Sequence, residues 1–147
     1  MAFDVREQPW AGEASLKRKT LRSLKKKAWS LVSQYVRQRE ADEGGFVHCY
    51  TCGAPIHAKL EAQAGHSIPG RTNSVLFDDS ICRPQCVSCN VFRRGNYPIF
   101  AAKLIRENGL DWFEAKLAGA RQVVKYTRTD LEEIIETYKK KLQTLEA

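Results

Sequence analysis

Between Ser15 and Arg39 the chain runs without proline or glycine, and Leu21, Leu24, Ala28, Leu31, Val32 and Tyr35 recur at the spacing that puts side chains on one face of a helix. One long helix is predicted there, ending at Gly44-Gly45. The stretch to about residue 90 is rich in turn residues, with short β-like runs at Phe46–Tyr50, Ala62–Ile68 and Val75–Ile81. Helical patterning resumes at Val87, is interrupted over Gly95–Pro98, continues through Ile99–Arg106 and stops at Gly109. A short helix follows over Asp111–Arg121.

The last helix is predicted after Thr129, with Thr129 as N-cap and Glu132 completing a capping box, and runs to the end of the chain. Its apolar stripe is Leu131, Ile134, Ile135, Tyr138, Leu142 and Leu145, with acids early and lysines late as the helix dipole favours. The stripe falls short of the ~3–4 heptads of a sustained coiled coil. Docking on its own domain is therefore expected, with pairing to a second copy as the other outcome. The pattern as a whole is α+β and mostly helical. It divides into an N-terminal helical arm (1–44), a turn-rich core (45–108) and C-terminal helices (109–147).

With 147 residues, 43% hydrophobic and 28% charged, the composition suits one soluble domain with helical extensions and excludes a large multidomain enzyme or a low-complexity chain. No apolar run approaches the ~20 residues of a membrane span, and the first residues lack a signal pattern, so a cytoplasmic protein is expected. The net charge is +7, which favours a polyanionic partner, nucleic acid first. Nine cations and no acid lie between Ser15 and Arg39, giving the first helix a strip suited to phosphates that includes Lys25, Lys26 and Lys27.

Two Cys-x-x-Cys pairs, Cys49/Cys52 and Cys86/Cys89, are separated by 33 residues. Two thiolates on each of two tight knuckles complete a tetrahedral zinc shell, and a closed four-sulfur shell is structural because it leaves no position for water. In a reducing compartment this outweighs disulfide pairing. Cys82 is left over and reads as a small buried hydrophobe.

Chemistry must then come from the segment between the pairs. Hydrolysis of a phosphodiester needs a base to activate water, a cation to stabilise developing charge, and positive side chains to hold the backbone. His66 is the candidate base, because imidazole titrates near neutrality. Asp78, Asp79 and Asn90 offer oxygen ligands that suit magnesium or manganese rather than zinc. Asp78 and Asp79 are expected on a strand facing His66. Arg71, Arg93 and Arg94 are candidate phosphate clamps. His48 and His57 read as structural, and Asn96 as a turn residue.

From about Lys27 to Leu117 the sequence resembles the phage NinG (Rap) recombination proteins, within the treble-clef HNH, or ββα-metal, nucleases. The resemblance rests on KAWSLVSQYVRQREAD, CYTCG, AGHS, Leu76-Phe77-Asp78-Asp79, RPQCVSCN, Gly95-Asn96-Tyr97 and IRENGLDWFEAKL. It implies a zinc-stapled β-hairpin followed by a helix, and a structure-specific endonuclease that cuts branched DNA such as Holliday junctions and D-loops in phage recombination. The Cys-x-x-Cys-Asn ending is also similar to phage endonuclease VII, where the Asn is a metal ligand. By that match Asn90 leads as catalytic-metal ligand and His66 is the base, with Asp79 or Asp78 supplying a carboxylate.

Three departures stand out against the general HNH pattern. Gly65 occupies the place of a metal-binding Asp, Asn90 replaces a His, and Ile81 falls near an expected Asn. Symmetric resolution of a junction would call for a two-fold dimer. Two alternatives remain open at this point: a non-catalytic zinc-stapled DNA-binding accessory protein of recombination, and a nuclease of ordinary duplex. The expected setting is a bacterial host cell during infection, or a prophage.

Overall fold

A computed structural model describes residues 18–69 and 74–147. The first helix, α1 (Leu21–Gln38), starts where the Thr20 hydroxyl accepts a hydrogen bond from the Ser23 amide at 3.1 Å. It is shorter at its N-terminal end than the uninterrupted run from Ser15 predicts, because the cap sets the first turn and residues 18–20 lie outside it. Leu24, Ala28, Leu31, Val32 and Val36 are buried, while Leu21 is exposed.

Two antiparallel hairpins follow. Strands β1 (Phe46–His48) and β2 (Pro55–His57) pair Val47 with Ile56, and the Cys49–Cys52 knuckle forms the turn between them. Strands β3 (Gln63–His66) and β4 (Cys82–Gln85) pair His66 with Cys82 and Gly65 with Arg83. The strand expected over Val75–Ile81 does not form. The Asp78 carboxylate accepts from the Ser80 amide at 3.0 Å and from its hydroxyl, and so caps a 3₁₀ turn at Asp79–Ile81. The strand opposite His66 is Cys82–Gln85 instead.

After β4 the chain makes a single π-helical turn, Ser88–Phe92, and then α2 (Tyr97–Asn108), α3 (Leu110–Ala120) and α4 (Arg128–Glu146). The capping box of α4 lies two residues earlier than expected: Thr127 accepts from the Asp130 amide and Asp130 accepts from the Thr127 amide. Asp130 does the work assigned to Glu132, and Thr129 sits inside the helix.

Helix α4 lies along α1 in the same direction, Tyr126 against Lys25 near their starts and Tyr138 edge-on to Tyr35 further along. Leu131, Ile135 and Tyr138 are buried in one core with Leu24, Ala28, Val32, Ile81, Phe100, Leu104 and Phe113. The C-terminal stripe thus docks within its own chain, apart from the exposed Leu145. A second, small core of Val47, Cys49, Ile56, Ala58, Ala62 and Cys89 surrounds the knuckles. No helix among the described residues is long and apolar enough to cross a membrane.

Candidate metal centre and basic cleft

The first knuckle hangs from β1, and the second leads from β4 into the π-helical turn. Together they bring the sulfurs of Cys49, Cys52, Cys86 and Cys89 within 4.8 Å of one another. Cys52 Sγ and Cys86 Sγ are 3.7 Å apart. A regular tetrahedron with metal–sulfur bonds of ~2.3 Å has edges of about 3.8 Å, the spacing that Cys52 and Cys86 already have, and the four sulfurs together are close enough to hold a zinc ion. Gly53 takes a left-handed φ of 80° to close the first knuckle, where its amide reaches the Cys49 carbonyl at 2.8 Å.

The protonation of these thiols fits a cation site. Burial opposes ionisation of Cys49. The Thr51 hydroxyl and the backbone amides of Cys86, Cys52 and Thr51 outweigh it and hold that thiol down at about 6. The Ala54 amide favours the Cys52 thiolate, but burial and the neighbouring sulfurs of Cys49, Cys86 and Cys89 win and push it up to about 12. Burial also raises Cys86. A divalent cation bound here would have to displace the protons that Cys52 and Cys86 hold. Cys82 lies outside this cluster, fully buried in the main core. Burial pushes its thiol up to about 12, as expected of an inert core residue.

The staple positions a cleft of about 900 Å³ between α1 and the β3–β4 hairpin. Arg22, Lys25, Lys26 and Trp29 line it from one face of α1, opposite Ala64, His66, Leu76, Asn90 and Tyr97. His66 stacks on Trp29, with ring centroids 4.6 Å apart. Its Nε2 lies 3.0 Å from the Leu76 carbonyl, which can only accept. Nε2 therefore carries the proton, and a neutral ring has its lone pair on Nδ1. Asn90 directly follows the last zinc-site cysteine, and its Nδ2 donates to Gln63 Oε1 at 2.8 Å. That bond fixes the amide plane and makes Oδ1 the acceptor end of the side chain.

Gly65 is explained by what lies behind it. A Cβ there would meet Gln85 Oε1 at 1.8 Å and Cδ at 2.7 Å. Gln85 is fully buried, and its amide donates to Thr51 Oγ1 at 3.1 Å and to the Gly95 carbonyl at 2.9 Å, tying β4 to the first knuckle and to the turn after the second. Position 65 faces Gln85 while its neighbours Ala64 and His66 face the cleft, so no carboxylate is available from it.

Asp78 and Asp79 do not join the cleft. Asp78 pairs with Lys116 at 2.7 Å; burial is outweighed by Lys116 and Ser80, which hold its carboxyl below the usual carboxylate range. Asp79 accepts from the Tyr138 hydroxyl and lies 3.5 Å from both Arg39 and Lys141. The absence of the expected strand is the reason: both carboxylates leave the 3₁₀ turn toward the C-terminal helices and brace them. Lys25 and Lys26 line the cleft, whereas Lys27 is exposed beyond it. Arg93 and Arg94 are exposed just past the π-helical turn, and Arg71 lies outside the described residues. His57 is structural, its Nδ1 accepting from the amides of Lys59 and Leu60.

The chain matches the family described as Bacteriophage Lambda NinG protein over residues 9–147. It belongs to the NinG family. No curated protein and no solved structure matches this NinG chain. The match covers the main core shared by α1 and α4 as well as the small core around the knuckles. Sequence reasoning counted Arg22 only within the general cation strip of the first helix, and missed Trp29, Gln63, Gln85 and Tyr97 in this NinG site. For Arg22 and Trp29 a signal existed: with Lys25 and Lys26 they form an i, i+3, i+4, i+7 stripe beside the apolar one. For Gln63 and Gln85 none did, since only strand pairing makes them contacts of Asn90 and Gly65.

Proposed function

We propose that this chain is a metal-dependent DNA endonuclease with a treble-clef ββα-metal core, acting on branched DNA in phage recombination. The observation that carries the reading is the meeting of His66 and Asn90 in a cleft walled by Arg22, Lys25 and Lys26. The three cations hold the phosphate backbone of one arm across the cleft. The Leu76 carbonyl and Trp29 set the tautomer and plane of His66, the base that takes the proton of the attacking water. Asn90 Oδ1 would hold magnesium or manganese, with phosphate oxygens and water as the other ligands, and that ion when bound offsets charge on the leaving oxygen. The zinc staple takes no part in chemistry; it holds Asn90 one residue from Cys89. Paired cuts across a junction call for two such sites, supplied by two copies of the chain on one junction.

A non-catalytic DNA-binding role is the second reading, favoured by the lack of any carboxylate among the described residues lining the cleft. A cleavage assay on a labelled four-way junction and a matched linear duplex decides between them, with magnesium or manganese and with His66→Ala. Metal-dependent cutting of the junction that disappears in His66→Ala at unchanged zinc content supports the enzyme. Cutting retained by pure His66→Ala refutes the base assignment, equal cutting of both DNAs makes it a general duplex nuclease, and junction binding without cutting supports the accessory role.

A further inference from the structure

The π-helical turn that carries Asn90 into the cleft continues outward into an apolar projection. Val91, which lines the cleft, is 52% exposed; Phe92 is 80% exposed, and Val87 is 41% exposed. A phenylalanine this exposed, beside two exposed valines within six residues, is unlike the scattered single apolar residues of an ordinary surface. Arg93 and Arg94 follow at once, both exposed.

The projection is held rigidly. The Arg93 amide reaches the Ser88 carbonyl at 2.9 Å, and the Gly95 amide the Cys89 carbonyl at 2.9 Å. Asn96 Nδ2 approaches Cys89 Sγ at 3.7 Å. Arg94 and Asn96, neither a glycine, sit at φ of 52° and 51° on either side of Gly95. Left-handed backbone at two side-chain-bearing positions persists only where the surroundings impose it. Here the second knuckle imposes it at one end and the start of α2 at the other.

Resting on the reading of the cleft as a site for branched DNA, we propose that Phe92 is the residue that selects the branch. Phe92, backed by Val91, enters the DNA at the branch point and stacks on the base whose neighbour is missing there, while Arg93 and Arg94 hold the flanking phosphates. Charge decides for DNA over a protein partner: the projection borders a cleft lined by three cations and is followed by two arginines. Discrimination follows from stacking. An apolar wedge entering continuous duplex must first unstack a base step, whereas at a branch the stack is already interrupted. The same side chain therefore strengthens binding to a junction and adds little on linear DNA.

The test uses the zinc-loaded full chain without added magnesium or manganese, measuring affinity for a four-way junction and for a linear duplex of the same arm sequences. Phe92→Ala is expected to melt as wild type, since the ring is exposed, and to lose roughly ten-fold or more in junction affinity while duplex affinity stays within about two-fold, the range that stacking on one base supports. Phe92→Trp is expected to restore junction binding. Equal losses on both DNAs, or no loss on either, overturn the proposal and reassign the projection to a protein surface. The two readings fail separately. Wild-type cutting whose branch selectivity survives Phe92→Ala defeats the wedge alone; selective loss of junction binding in a protein that never cuts defeats the nuclease reading and leaves the wedge standing.

Discussion

Replacing Gly65 by Ala tests whether the residue before the candidate base is dictated by Gln85. The backbone is ordinary strand paired to Arg83, so alanine brings no φ strain and would gain about 0.4–1 kcal/mol from a less flexible unfolded chain. Against this, the new Cβ lies 1.8 Å from Gln85 Oε1 and 3.1 Å from Cγ, and the Gln85 side chain has no solvent into which to move. Its displacement breaks the bonds to Thr51 and the Gly95 carbonyl, about 0.5–1.5 kcal/mol each, and overpacking adds about 1–3 kcal/mol. The net expectation is a loss of about 1–5 kcal/mol, a large part of the stability of a single domain. Denaturant unfolding of the zinc-loaded protein measures it, in a cycle with Gln85→Ala and the double variant. If the clash with Gln85 is the cause, the double variant is about as stable as Gln85→Ala alone, giving a coupling of about 1 kcal/mol or more. Losses that simply add, or a Gly65→Ala protein as stable as wild type, would refute the reasoning.

The thiol protonation gives a second expectation. With Cys49 near 6, Cys52 near 12 and Cys86 raised, the metal-free protein at neutral pH holds protons on at least two thiols that zinc must displace. Raising the pH removes the competing protons, so zinc affinity, measured against a chromophoric chelator, is expected to climb about 100-fold per pH unit around neutrality; a slope of ten-fold or less would contradict the assignment. Cys86→Ser is expected to lose zinc and to unfold the segment around both hairpins, whereas His66→Ala keeps both, as zinc analysis and circular dichroism will show. Converting Arg22, Lys25 and Lys26 to Gln is expected to weaken junction and duplex binding alike and to lower the salt slope by about 0.9 for each phosphate that is no longer neutralised. An unchanged slope would place the DNA elsewhere on the surface.

Much of this protein is readable along the chain, because its signals are local. Helical spacing in α1 and α4, the breaks at Gly44-Gly45 and Gly109, and two Cys-x-x-Cys pairs all depend on residues within a few positions of each other. Errors arose where a short polar side chain chose among backbone states. Asp78 bonding to Ser80 converted an apolar run into a 3₁₀ turn, and Asp130 took the capping role read into Glu132.

The cysteine spacing was enough to specify a four-sulfur site, and the run of cations a strongly basic first helix, since ligand chemistry and charge are properties of residue type. Which residues meet across the hairpin is a matter of register, and register is settled by long-range packing. That is why only the assembled fold set Gln85 against Gly65, His66 on Trp29 and Asn90 on Gln63, and turned Asp79 away to Tyr138 and Arg39. Asp78 and Asp79 precede the strand facing His66, on a 3₁₀ turn whose carboxylates meet Lys116 and Tyr138 from helices far along the chain, and no local pattern encodes those partners.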